Sequence, residues 1–235
     1  MSPPRPVPSG RSIRPVLLAL VAALLVAAVA PGVGGARAPP DPVCDLCTDG
    51  ALADAAADHG VAVAVGEASL ELHLRADGTS RRVARLGLTD GAEELHNDSV
   101  RRAVVADALG GDADEVSSRL NGDTLVVEYR RGDVAVRESG AVVVTAFHAA
   151  GAPPLAMGGE GTAVLGADEL VVYAPAGHVP AGGVGDGTVV GRTVRWSDDG
   201  AGADGIDRDA RPTFVRDDAT FPEVRGAVAR LLVGI

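Results

Sequence analysis

Two spacings of apolar residues organise this chain. In "SLELHLR", Leu70, Leu72 and Leu74 alternate with Glu71, His73 and Arg75, the two-residue period of a strand with one buried face. Ala76-Asp77-Gly78-Thr79 then supplies a turn, and residues 81–88 return as the second strand of a hairpin. Further on the period lengthens. Val100, Val104 and Ala108 share one helical face with Val105 and Leu109 beside it; Asp98 is placed to cap the start and Gly110-Gly111 to end it. Alternation resumes on either side of Asn121-Gly122, a strong hairpin turn between residues 115–120 and 123–130. Arg131-Gly132-Asp133 and Ser139-Gly140 bound two more strands, 134–139 and 141–148. These strands form an antiparallel meander packed on the helix at 99–109.

The flanks of this region are simpler. Residues 50–59 form a short helix capped by Thr48 or Asp49 and stopped by Gly60, with a face of alanines and Leu52 that buries little. Residues 151–161 read as a linker or long loop, and 162–175 and 187–199 as strands separated by a Gly- and Pro-rich stretch. Residues 197–212 are polar and read as mobile. The end, "FPEVRGAVARLLVGI", has helical spacing at Val224, Val228, Leu231 and Leu232. The expectation is an α+β fold, mainly antiparallel β-sheet with hairpins and a few short helices. It divides into a leader at 1–38, an α+β domain at 39–150, a β extension or small β subdomain at 151–197, and a mobile loop with a short helix at 198–235.

The leader has the layout of an export signal. Arg5, Arg11 and Arg14 precede an unbroken run of Ala, Val and Leu from Val16 to Ala30, and Ala36-Arg37-Ala38 is a small-residue cleavage site. The apolar run is shorter than the roughly 20 residues that span a bilayer; the alternative is an uncleaved segment that anchors the chain in the membrane. No second long apolar run follows.

Charge changes the picture of the surface. The chain has 21 basic and 32 acidic residues, no lysine and no glutamine; four of the arginines lie in the leader, leaving 17 basic against 32 acidic side chains beyond it. Only six residues are aromatic. This usage resembles that of proteins secreted by extreme halophiles. Excess negative charge drives a compact chain apart in dilute buffer, whereas in molar salt the Debye length falls to about 3 Å and the repulsion is screened. Acidic clusters are then surface hydration rather than chemistry. Nucleic-acid binding is excluded for want of a basic stripe.

Over roughly residues 44–196, the early "CDLC", the hairpin "LELHLRADGTSRRV", the helix "NDSVRRAVVADAL" and the segment "ADELVVYAPAGHV…GRTVRW" carry a resemblance. The chain resembles a group of haloarchaeal secreted or membrane-anchored proteins without assigned function. The resemblance implies an exported or cell-surface location and supplies no activity; the expectation for such a chain is a cell-envelope partner and no cofactor.

Candidate chemistry is sparse. Cys44 and Cys47 are the only cysteines. They are open to three readings: a local disulfide that staples the entry to the first helix, an exchange-active redox pair, or part of a metal site with His59 and a remote fourth ligand. Glu71 and His73 share a strand face, as an acid–base pair would, although a solvated polar face has the same pattern. His148 and His178 have no visible partner. Asn97-Asp98-Ser99 is an N-glycosylation sequon. The nucleophile, zinc-protease and phosphate-loop signatures are missing from the sequence. The pattern points to a non-enzymatic surface or secreted protein that acts by binding or assembly. The alternatives are an extracytoplasmic redox or metal-binding protein using Cys44 and Cys47, and a hydrolase built on His73 and Glu71.

Overall fold

The computed structural model describes residues 43–132, 134–147, 162–197, 205–207 and 210–234. The leader, His148, the linker at 151–161 and much of the polar stretch at 198–212 lie outside them. The remainder is an α+β fold made mostly of sheet, with three α-helices. Strands β1 (Ala64–Leu74), β2 (Ser80–Asp90), β3 (Asp114–Asn121) and β4 (Thr124–Arg131) are the expected hairpins. They form one side of a seven-stranded sheet ordered β10-β11-β8-β1-β2-β4-β3, where β8 is Glu169–Tyr173, β10 Thr188–Val190 and β11 Thr193–Ser197. Three strands from residues 151–197 are thus added to the first sheet. One pairing departs from the antiparallel expectation: β8 lies parallel to β1, with Leu72 opposite Val172.

The meander does not continue as expected. β5 (Ala135–Glu138) and β6 (Ala141–Val144) leave the long sheet and build a second one, ordered β5-β6-β13-β9, with β9 (His178–Pro180) and β13 (Thr213–Arg216). The reason is in the residues. All four β6 residues, Ala141-Val142-Val143-Val144, are buried, so this strand needs a cover on both faces. Val142 and Val144 join Phe214 in the main core, while Ala141 and Val143 join Val215, Ala181 and Ala229 in a smaller one on the other side. A two-stranded ladder of β7 (Thr162–Val164) and β12 (Gly205–Asp207) completes the strands.

The main core is filled by the inner face of the long sheet. Leu70, Leu72, Ala84, Leu86, Leu125, Val127, Leu170, Val172 and Val194 are all buried there. Helix α1 (Asp49–Asp58) adds Leu52, Ala55 and Ala56, and α2 (Asp98–Leu109) adds Val104, Val105 and Leu109. The cap of α2 is Asn97 rather than Asp98: its side chain accepts from the Ser99 and Val100 backbone N–H groups at 3.0 and 3.5 Å. Asp98 instead pairs with the buried Arg101, one turn on. Thr48 precedes α1 but does not cap it, because its hydroxyl donates back to Asp45 O at 2.7 Å.

Helix α3 (Pro222–Val233) lies on the far side of the second sheet. Its inward residues are Gly226 and Ala229, both buried. The apolar stripe seen in the sequence faces the other way.

Candidate functional site

The cysteine pair is the first place to look for chemistry. Cys44 and Cys47 are joined in a disulfide across a single 3₁₀ turn, Asp45–Cys47. Both are buried, at 0 and 5 % exposure, in the main core beside Leu46. The turn is tied down by Cys44 N–H donating to Leu165 O at 3.2 Å and Thr48 N–H to Asp45 O at 3.1 Å. Thiol–disulfide exchange requires an attacking thiolate to reach a sulfur, and no such path is open here without moving the turn. The geometry is that of a staple fixing the chain at the mouth of α1.

His59 does not join the cysteines. At the end of α1, its Nε2 sits 2.6 Å from Asp107 Oδ2 on α2. Among the described residues no three His, Cys, Asp or Glu side chains converge as metal ligands. Asn97 is exposed, as a sequon requires, though its Oδ1 is occupied by the α2 cap and by the Ser99 hydroxyl at 2.6 Å. His178 Nδ1 lies 2.9 Å from Ala176 O in its own turn.

Glu71 and His73 are brought together on the outer face of the long sheet. His73 Nε2 is 3.2 Å from Glu71 Oε2, and Glu71 Oε1 accepts from Arg85 at 2.7 Å. The His73 ring is stacked on Tyr173 of the parallel neighbour, centroids 4.4 Å apart. Two strands away, Glu128 accepts from both Arg81 and Arg119, and these arginines hold its carboxyl below the usual range. Val83, Val126 and Val171 are buried beneath this lattice despite facing outward, since the long arginine stems cover them while their heads stay wet. Every carboxylate in the lattice is matched to a cation. Among the described residues neither Glu71 nor His73 bonds a hydroxyl or thiol, and both side chains are partly open to solvent.

The remaining feature is the outer side of α3. Among the described residues nine large apolar side chains are exposed, and five of them are Phe221, Val224, Val228, Leu231 and Leu232. A sixth, Val136, lies on the adjoining edge strand β5. Leu231 and Phe221 are 67 and 74 % exposed. The helix start and the β5–β6 turn enclose a shallow open groove lined by Ser139, Thr220, Phe221, Val224, Arg225 and Val228. Two of its residues, Ser139 and Phe221, hold φ near +50°. At Ser139 this conformation belongs to the tight two-residue turn shared with Gly140, also at positive φ; at Phe221, just before α3, it is costly for a residue that bears a side chain.

No family profile, curated protein or solved structure matches the chain.

The outward stripe was visible in the sequence only as helical spacing. A signal for its direction exists: Gly226 and Ala229 lie opposite the stripe, and a helix whose bulky residues face inward does not need its smallest ones on the other side. No described helix is long and apolar enough to cross a membrane.

Proposed function

We propose that the chain is an exported, non-enzymatic protein of the cell envelope that works by assembly, docking to a second copy of itself through the outer face of α3. The observation that carries this reading is the stripe itself. Large apolar side chains on a soluble surface are ordinarily scattered, whereas here they are gathered on one helix and its flanking strand. Phe221, Val224, Val228 and Leu231 repeat at intervals of three, four and three residues, the seam spacing of paired helices. The charges at the rim are of opposite sign, Glu223 and Arg225, so two copies meet without a like-charge penalty at that point.

A lipid surface is a poorer occupant. Interfacial helices carry a belt of basic residues on the polar side. Here Arg230 is drawn inward, donating to Ala181 O at 3.0 Å, and the chain as a whole carries a net charge of −11. That charge also opposes association of two copies in dilute buffer, so assembly strengthens in molar salt, where screening is short-ranged.

A cross-linking experiment tests the reading. The described residues hold no free cysteine, so Val228→Cys introduces a lone thiol at the middle of the stripe. Mild oxidation in molar salt is expected to give a covalent dimer, while Val189→Cys, equally exposed on β10, gives none. Equal cross-linking at both positions, or at neither, overturns the proposal.

A further inference from the structure

The inner face of the long sheet is apolar except at Ser118 on β3 and at one corner, where polar groups cluster. Ser80 and Arg82 on β2 point into the core with Ala84 and Leu86, and their cross-strand partners on β4 are Arg131 and Tyr129. Directly opposed residues bring their Cβ atoms to about 5 Å, and diagonal ones to about 7 Å. Two guanidinium groups and a hydroxyl therefore converge within one small patch. Ser80 is 1 % exposed and Arg82 is 6 % exposed. The 3₁₀ turn at Asp45–Cys47 closes over them, with Arg82 Nη1 donating to Val43 O at a long 3.4 Å.

The polar atoms of this corner are under-satisfied. Ser80 Oγ, Arg82 Nε and Arg131 Nε are all buried and find no hydrogen-bond partner among the described residues. The charges are under-compensated as well. Arg131 reaches Asp45 only at 3.7 Å. Arg82 has no carboxylate within ion-pair distance among the described residues; its guanidinium lies over the Tyr129 ring, 6.0 Å from the centroid. Burial pushes the Arg82 pKa down; Tyr129 pulls the other way, and of the two charges beside the guanidinium Arg131 lowers it while Asp45 raises it. A buried guanidinium without a counter-charge is strongly destabilising, and arginine does not escape by losing its proton.

We propose that this corner is a binding site for a small monovalent anion of halide type, held by Nε–H of Arg82, Nε–H of Arg131 and the Ser80 hydroxyl. All three groups can donate, two carry charge, and the one carboxylate beside them among the described residues, Asp45, is shared. A halide accepts hydrogen bonds only and carries the missing negative charge, so it matches this donor set better than a water molecule does. The disulfide gains a role from this arrangement: it holds shut the turn that seals the anion from bulk solvent.

Two measurements test the site. Crystals of the full chain grown in sodium bromide are expected to show an anomalous bromide peak between Arg82, Arg131 and Ser80. A peak elsewhere only, or a water molecule at this position, overturns the proposal. In solution, melting temperature is compared in sodium chloride and in sodium gluconate of equal concentration, gluconate being too large to enter. The chain should gain a chloride increment that saturates with concentration, and Ser80→Ala and Arg82→Met should each lose it. Ser80→Ala keeps both charges and removes one small group, so it reports even if Arg82→Met fails to fold. The same chloride increment in the unaltered chain and in Ser80→Ala contradicts the site.

Discussion

Replacing Gly226 by alanine sets two effects of opposite sign against each other. In the interior of a helix the change is favourable by about 1 kcal/mol, because glycine surrenders more backbone freedom on folding. Against this stands the packing of α3. A Cβ at position 226 would lie 2.6 Å from Ala181 O and 2.9 Å from Ala181 Cβ. Ala181 cannot readily give way: its N–H donates to Thr213 O at 2.7 Å, and its carbonyl accepts from Arg230. Overpacking of a closed contact costs about 1–3 kcal/mol, so the contact outweighs the propensity and Gly226→Ala is destabilising by up to about 2 kcal/mol. The loss should appear first as detachment of α3, read by faster hydrogen exchange of its amides than of β1 and β2, with a lower denaturant midpoint. Ala227→Gly on the exposed side serves as control and should cost about 1 kcal/mol through propensity alone. If Gly226→Ala raised stability, as such a change does at an open helix position, α3 would not be seated through Gly226. The outward direction of Val224, Val228 and Leu231 would then lose its basis.

Other perturbations address other parts of the account. Replacing Cys44 and Cys47 together by alanine removes a cross-link across a loop of about four residues, a chain-entropy loss of about 2 kcal/mol read by denaturant unfolding; in the unaltered chain, the disulfide should become reducible only when the turn is unfolded. Asn97→Ala should cost about 1 kcal/mol through loss of the α2 cap, whereas Asn97→Ser keeps the cap and abolishes only the sequon, so mass and melting temperature separate the two roles. Glu128 is held below the usual carboxyl range by Arg119 and Arg81. Its contribution is therefore complete at neutral pH and fades as the pH falls below the ordinary value of about 4.3. Glu128→Gln should flatten that part of the acid-unfolding curve, and an unchanged acid limb would remove the lattice from the account.

What could be read in the sequence followed how local the determining contact is. The β1–β2 hairpin was legible because Leu70, Leu72 and Leu74 alternate against an Asp-Gly turn, and β3–β4 because Asn121-Gly122 selects its turn type. The parallel pairing of β1 with β8 joins residues about a hundred positions apart, and no local pattern encodes it. The departure of β5 and β6 to a second sheet depends on β13, whose Thr213-Phe214-Val215-Arg216 lies beside a polar stretch and gives little strand signal. Among candidate sites, the disulfide was one of three open readings, and its burial narrows them. The anion corner was hidden because "SRRVAR" places arginines on both faces of β2, and only the register shows that Arg82 is the inward one.

Whether the outer face of α3 is an assembly surface is decided by sedimentation velocity of the full chain in molar salt. The unaltered chain is predicted to show a concentration-dependent monomer–dimer equilibrium that weakens as salt is lowered. Val228→Asp is predicted to remain a monomer with an unchanged melting temperature, since Val228 is already 45 % exposed in the single chain. A monomer at every concentration, or a dimer that survives Val228→Asp, would contradict the account.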